Sequence, residues 1–397
     1  MLLRDGRRLG RPLLKWRGCL LEELIVCSCE QILHFSFLTP AFSQPYIVIY
    51  PFAFDPAMSS SSFRALALTL LASSVVTAAP TQTSKLLKRA LTYDVLGGTN
   101  FPDPSIINVN GQSYAFGTQS GAFQVPMTSN PDFSNSGGWS GVSDAFPIAN
   151  VPAFSNWAAS NTIWAPDVNQ LTDSDGSFAM YYSPALKSNP NIHCVGLARS
   201  LNVEGPYNDS STAPWICPES EGGAIDASGF LDSDNSRYVL YKIDGPAVND
   251  GGYCASTSNT NVNTPIMIQK TQSDGDTKIG SPVEIWNNQG VADHFQAEAP
   301  SLVKSGSTYF LFYSTGCYTD NSYTTKYVTS SSILGPYGNP QTLLEQGTDG
   351  LFGPGGADVT PSSGQMVFHS LVNNDINQGR VMNTATLAFS GDSVSLN

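Results

Sequence analysis

Apolar and aromatic residues in this chain come in short runs closed off by Gly, Asp, Asn or Ser, and no stretch sustains a helical period. That pattern predicts brief strands joined by tight turns. The clearest case runs from Phe295 to Lys304, Phe-Gln-Ala-Glu-Ala-Pro-Ser-Leu-Val-Lys, followed by Ser305-Gly306-Ser307 and then Thr308-Tyr-Phe-Leu-Phe-Tyr313. It reads as strand, turn, strand, with the carboxylate of Glu298 at the mouth of the first strand.

The same layout recurs four more times. Asp103-Pro104-Ser105-Ile-Ile leads through Asn110-Gly111 to Tyr114-Ala-Phe116. Trp164-Ala-Pro-Asp167-Val leads through Asp173-Ser-Asp-Gly176 to Phe178-Ala-Met-Tyr-Tyr182. Ile225-Asp226-Ala-Ser228 leads through Asp232-Ser-Asp-Asn235 to Tyr238-Val-Leu-Tyr241. Gly356-Ala-Asp358-Val leads through Ser363-Gly364 to Met366-Val-Phe-His369. Aligning Ser105, Asp167, Ser228, Ser301 and Asp358 gives steps of 62, 61, 73 and 57 residues. Each step holds a four-stranded sheet with its loops. A row of such sheets ending openly would expose strand edges, so radial closure follows. The expected fold is all-β, a five-bladed β-propeller forming a single domain. A β-sandwich is the alternative, and the regular spacing argues against it.

Composition divides the chain at about residue 90. Met1–Arg89 carry 10 of the 19 Lys+Arg and 5 of the 32 Asp+Glu, which leaves 9 − 27 = −18 for the remainder. Within that head, Arg64, the apolar run Ala65–Ala72 and the small residues Val76-Thr77-Ala78 form a secretion signal, and Lys88-Arg89 is a dibasic processing site. Residues 1–57 are expected to be a spurious N-terminal extension, 58–78 the signal peptide, 79–89 a short pro-segment and 90–397 the propeller. A membrane anchor over Ile32–Phe54 is the rival, but Pro40, Pro45 and Pro51 interrupt it. The acidic remainder is a poor partner for nucleic acid or an anionic membrane. A secreted, extracellular monomer acting on a neutral substrate fits it.

Four cysteines remain after the head, Cys194, Cys217, Cys254 and Cys317. An even count in a secreted chain predicts two disulfides. Three pairings are open, with Cys194–Cys217 closing the shortest loop. No Cys-x-x-Cys or Cys/His spacing supports zinc. Asn208-Asp-Ser210 is a glycosylation sequon.

First strands of propeller blades line the central channel, so motifs about 60 residues apart converge on one face. Glycoside hydrolysis requires one protonated carboxyl group and one ionised one flanking the bond. A third carboxylate nearby raises the pKa of the acid. Asp103-Pro-Ser, Trp164-Ala-Pro-Asp167-Val and Glu298-Ala-Pro, in this order on a five-bladed pattern, resemble glycoside hydrolase family 43 over about residues 93–397. The family more often has Gly where Ala299 stands. The resemblance implies inversion of configuration, with Asp103 as general base, Glu298 as general acid and Asp167 as the residue that tunes and orients Glu298. It further implies that His369 faces a water or a calcium ion in the channel, with no cofactor required for the reaction, and that Arg380 contacts substrate. Aromatic residues near the motifs, Phe101, Trp164 and Phe295, together with His294, are candidates to line sugar subsites. Asp226 and Asp358 are expected to bond local backbone, and Asp293 to be a loop acid. Tyr181, Tyr182, Tyr241, Tyr309 and Tyr313 are expected to pack between blades.

The substrates that the resemblance implies are plant polysaccharides or oligosaccharides, arabinan and arabinoxylan first. The expected activity is α-L-arabinofuranosidase or endo-1,5-α-L-arabinanase. The alternatives are a β-xylosidase, less expected because many of the family's β-xylosidases carry a C-terminal β-sandwich after the fifth blade, and an inactive sugar-binding propeller. Fructan-cleaving enzymes share the propeller, but their Arg-Asp-Pro and Glu-Cys motifs are absent here.

Overall fold

The structure is a computed structural model that describes residues 91–147, 155–171, 177–249, 254 and 262–397. The leader and pro-segment assigned to residues 1–89, and the turn at 173–176, lie outside the described residues. The chain enters through β1 (Leu91–Thr92) and then builds its sheets in sequence order. The first sheet is β2 (Ser105–Val109), β3 (Gln112–Phe116), β4 (Pro126–Asn130) and β5 (Ser143–Asp144). The second is β6 (Trp164–Gln170), β7 (Phe178–Ser183) and β8 (Gly196–Ser200). The third is β9 (Ala224–Leu231), β10 (Arg237–Ile243), β11 (Ile266–Thr271) and β12 (Lys278–Trp286). The fourth is β13 (Glu298–Ser305), β14 (Thr308–Thr315), β15 (Thr324–Ser330) and β16 (Gly338–Leu344). The fifth is β17 (Gly355–Val359), β18 (Gln365–Leu371) and β19 (Arg380–Ser390), with β20 (Ser393–Leu396) on the far half of β19.

The ring closes in two ways. The innermost strands touch in the cycle β2–β6–β9–β13–β17 and back to β2. The fifth sheet is completed by β1 from the other end of the domain, with Leu91 opposite Ala385 and Thr92 opposite Thr384. This is the five-bladed β-propeller that the repeat predicted.

Each blade packs both faces against its neighbours, and this explains the second-strand sequences. β7 reads Phe-Ala-Met-Tyr-Tyr-Ser and is buried throughout, as is β10. β14 and β18 are buried beyond their first residue. Tyr181, Tyr182, Tyr241, Tyr309 and Tyr313 are all buried, as expected of interblade packing. Each such side chain contributes about 1.5–3 kcal/mol by leaving water. Their hydroxyls are not wasted: Tyr182 bonds Asp209 Oδ2 at 2.6 Å, and Tyr309 bonds Asp232 Oδ2 at 2.6 Å.

Both disulfides form, Cys194–Cys217 and Cys254–Cys317. Among the described residues no group of three or more His, Cys, Asp or Glu is placed to hold a metal ion, zinc included. Within the sequon, Asn208 pairs its backbone with Arg199 and keeps its side-chain oxygen buried.

Candidate active site

The first strands of four blades carry the same distortion near their start. In the second to fifth blades the pairing skips two residues, between Trp164 and Asp167, Ile225 and Ser228, Glu298 and Ser301, and Gly355 and Asp358. The first skipped residue is left-handed each time: Ala165 (φ 33°), Asp226 (φ 56°), Ala299 (φ 50°) and Gly356 (φ 58°). Asp103 (φ 48°), two residues before Ser105, is its counterpart in the first blade. A bulge of this kind re-aims side chains and bends the strand.

The bulges sort the channel into levels. A chamber of about 590 Å³, its open mouth included, is lined by the bulge residues Asp103, Ala165, Asp226 and Ala299 and the residues just before them, Trp164, Ile225 and Glu298. Thr118, Lys242, Asp244, Tyr318, Tyr323 and Arg380 complete its wall. The next cavity along the channel runs from these bulge residues to the level two residues further on, where Ser105, Asp167, Ser228 and Asp358 line it and the first chamber does not reach. A third begins there and follows the strands to the opposite face.

Asp103 sits under tight control. Its Oδ1 accepts from Arg380 Nη1 at 2.7 Å and its Oδ2 from Thr118 Oγ1 at 2.7 Å. Burial works to raise its pKa, but the charge of Arg380 and the Thr118 and Arg380 hydrogen bonds outweigh burial and hold the carboxyl below its usual range. Arg380 is itself braced by the ring of Tyr318, 4.7 Å away.

Glu298 Oε2 accepts from Lys242 Nζ at 2.8 Å and from Gln296 Nε2 at 2.5 Å. Lys242 also pairs with Asp244 Oδ1 at 3.1 Å. Asp226 stands on the neighbouring blade, with its Oδ2 accepting from the Ala299 N–H at 3.0 Å. Burial, and next the charge of Glu298, push Asp226 up to about 7, with Lys242 opposing.

Asp167 does not join them. Its Oδ2 accepts from the Gly229 N–H at 2.7 Å and from Asn169 Nδ2 at 2.6 Å, at the deeper level of the channel. Burial and the charge of Asp358 push it up to about 7. Asp358 likewise ties blades together, through Ser301 Oγ and the Ile106 N–H at 2.7 Å each. The carboxyl group beside Glu298 is therefore Asp226, expected to be merely structural, and the sequence held the signal. In the five-fold alignment Asp226 stands two residues before Ser228, as Asp103 stands two before Ser105, whereas Asp167 falls on the alignment position itself.

Of the other candidates, Trp164 lines the chamber and stacks on His193, with ring centroids 3.5 Å apart. Phe101 does not reach it: fully buried, it packs with Ile106, Ala115, Val367 and Met382. Phe295 is buried outside the chamber lining. His294 is exposed, left-handed at φ 50°, and ends the short turn Gly290–Asp293. Asp293 is buried and bonded to Lys326 at 2.8 Å.

His369 lies under Asp103. Its Nδ1 accepts from the Asp103 N–H at 3.0 Å, and Tyr323 stacks on its ring. Burial, then Arg380, push its pKa down to about 3, so the ring is neutral. With Nδ1 accepting, the proton belongs on Nε2, which is buried without a protein partner. A donor there suits a water oxygen rather than a cation, so the donor set does not fit calcium ligated by this ring. Lys242 went unnoticed in the sequence. Its signal was a lone charge ending the apolar second strand Tyr238–Tyr241, where a residue buried on both faces must have a partner.

A closed five-bladed propeller with an acid-lined chamber at one mouth of its channel defines a class of carbohydrate-active proteins. Residues 95–392 match Glycosyl hydrolases family 43, and the chain belongs to that family. The beta-D-galactofuranosidase xynD of Aspergillus niger is 25% identical over 292 residues, which is 69% of this chain and 75% of that one. The extracellular endo-alpha-(1->5)-L-arabinanase 2 of Bacillus subtilis is 31% identical over 157 residues, 35% of this chain and 32% of the relative. The fold is shared with a thermostable family-43 glycoside hydrolase, at a TM-score of 0.63 and 24% identity over 77% of this chain and 95% of that one.

Proposed function

We propose that this glycosidase cleaves furanosidic linkages in plant cell-wall polysaccharide by inversion, as an α-L-arabinofuranosidase or endo-1,5-α-L-arabinanase. The observation that carries the proposal is the meeting of Asp103, Asp226 and Glu298 in one chamber. In this scheme Asp103, kept ionised by Arg380, accepts a proton from the attacking water. Glu298 gives its proton to the leaving oxygen, and Asp226 keeps that proton available by opposing a second negative charge beside it. Trp164 supplies an aromatic wall for the sugar. Both a galactofuranosidase and arabinanases among the relatives act, by their names, on five-membered sugar rings, and this favours a furanoside over a xylopyranoside. Two disulfides and relatives described as extracellular support secretion, and we expect the mature protein to be a monomer.

The test is product release from 4-nitrophenyl α-L-arabinofuranoside, 4-nitrophenyl β-D-xyloside, 4-nitrophenyl β-D-galactofuranoside and linear arabinan. Turnover of the arabinofuranoside or of arabinan is expected. Glu298→Gln should lose arabinan cleavage and keep some activity on the aryl glycoside, whose leaving group needs no proton. Asp103→Asn should lose both. Binding of arabinan with no turnover of any substrate would replace this proposal with a sugar-binding propeller.

A further inference from the structure

Lys242 is a full positive charge in a strand otherwise packed on both faces, and it is 1% exposed. It stands between two carboxylates, Glu298 at 2.8 Å and Asp244 at 3.1 Å. Asp244 is buried too and, like Lys242, belongs to the chamber wall. The proposed acid thus has a cation in contact on one side and Asp226 on the other. The cation alone would favour an ionised Glu298, the wrong state for a proton donor. A buried cation that is itself paired with a second carboxylate exerts a weaker field, because part of its charge is already compensated.

We propose that Lys242 and Asp244 are positioning residues that set the protonation of Glu298. Lys242 fixes the Oε2 end of the carboxyl group, leaving Oε1 for the leaving oxygen. Asp244 offsets the charge of Lys242 so that Glu298 keeps its proton at working pH. The row Asp244–Lys242–Glu298 alternates in sign, and Asp226, bonded to the N–H of Ala299 next to Glu298, adds a second carboxyl group at its end. Burial works to lower the pKa of Lys242, but Asp244, Glu298 and Asp226 outweigh it and raise it, so the ammonium is permanent. Asp244 is raised by burial against the pull of Lys242. The other ionisable groups around the chamber are Asp103 and Arg380, which pair with each other, Tyr318 over Arg380, and Tyr323, whose phenol burial and then the surrounding carboxylates keep neutral. His369, stacked on Tyr323, is neutral as well.

The inference rests on Glu298 as the acid, so it is tested first without turnover. Protein labelled with carbon-13 at the glutamate carboxyl carbon is titrated by NMR, and the Glu298 resonance is assigned by its loss in Glu298→Gln. Lys242→Met should raise the Glu298 midpoint by about 1–3 pH units, the range a contacting charge commands. Asp244→Asn should lower it by about one unit or more. The double variant Lys242→Met/Asp244→Asn removes both members of the Lys242–Asp244 ion pair together, so it guards against misfolding of a single variant that leaves one of them unpaired. Its midpoint should lie above the native value and below that of Lys242→Met. The basic limb of kcat/KM on linear arabinan should move with the midpoint in each case. Midpoints unchanged in all three variants, or shifted the same way by both single substitutions, would overturn the inference. Opposite shifts accompanied by a Glu298→Gln variant that still cleaves arabinan at the native rate would uphold the charge row and reject Glu298 as acid.

Discussion

Replacing Asp167 and Asp226 by Asn, one at a time, separates the two levels of channel carboxylates. Asp167 is buried and Asp226 half-buried, and both are pushed up to about 7. A carboxyl group whose folded-state pKa exceeds its unfolded value, about 3.9 for Asp, holds a proton that the unfolded chain has released. Its stabilising contribution is complete below the unfolded value and is lost as pH rises through the folded one. Each group therefore makes the folded state less stable by about 1.4 kcal/mol per pH unit in that window. Between pH 5 and pH 7 this amounts to about 2.7 kcal/mol, an upper figure since each group is coupled to a neighbour. Asp167→Asn carries no titrating proton, and its amide oxygen still accepts the Gly229 N–H. Urea unfolding at pH 5, 6 and 7, followed by tryptophan fluorescence, should show native stability falling with pH and a shallower fall in Asp167→Asn. Catalysis should divide the two variants. Under the proposed mechanism Asp226→Asn takes away the carboxyl group beside Glu298 and should lose about 10²-fold or more in turnover, while Asp167→Asn should stay within about tenfold of native, being absent from the chamber lining. An unchanged pH slope in Asp167→Asn would refute the protonated-channel argument. A loss of turnover equal to that of Asp226→Asn would refute the division into levels.

Gly356→Ala would place a Cβ 2.8 Å from the His369 ring and 3.2 Å from Asp103 Oδ1, at φ +58°. We expect a loss of about 2 kcal/mol or more in unfolding free energy and reduced turnover through displaced Asp103; native values of both Tm and kcat would contradict this. Ala299→Gly relieves a left-handed alanine costing about 1–2 kcal/mol, partly offset by glycine's greater chain entropy of about 0.5–1 kcal/mol. A gain of up to about 1 kcal/mol in thermal or urea unfolding is expected, and a clear loss would count against the bulge conformation. Arg380→Met removes the charge that holds Asp103 below its usual range. The acid limb of the pH–rate profile should move to higher pH, and an unmoved limb would show that another group controls Asp103.

The fold was legible because its signal repeats. Five turns, five aromatic second strands and an alignment through Ser105, Asp167, Ser228, Ser301 and Asp358 all depend on local chemistry, and each copy checks the others. The levels of the site depend on something the alignment contained but composition hid. A two-residue offset along a first strand moves a side chain from the chamber to the cavity beyond it, so Asp226 and Asp167 exchange places although both are aspartates at strand starts. Nearness in sequence misled for Phe101, Phe295 and His294. Phe101 lies two residues before Asp103 but turns into the core beside Met382, because its backbone N–H is bound to the Arg380 carbonyl at 2.8 Å. Lys242 was missed for a different reason. It comes from a second strand, and only pairing across the bulge, with Lys242 opposite Ile225, brings it to the chamber.

The order of blades around the ring constrains the chemistry more tightly than any motif. The first strands meet in the cycle β2, β6, β9, β13, β17. Glu298 begins β13, so the bulge residues beside it can come only from the third and fifth blades. The fifth offers Gly356 and the third offers Asp226, whose carboxylate bonds the Ala299 N–H at 3.0 Å. Asp167 belongs to the second blade, which adjoins the first and third, so no local rearrangement of its loop makes it the neighbour of Glu298. Asp103 belongs to the first blade, which is not adjacent to the fourth, and it faces Glu298 across the chamber. A proton-sharing pair must be adjacent, because its mutual repulsion falls off with distance. A base and an acid that act on opposite sides of one bond must be separated, with room for water between them. Five blades satisfy both requirements of the proposed mechanism with one left-handed position repeated five times. Aspartate occupies that bulge in the two blades where a carboxylate is needed, and it tolerates the left-handed backbone better than most side chains.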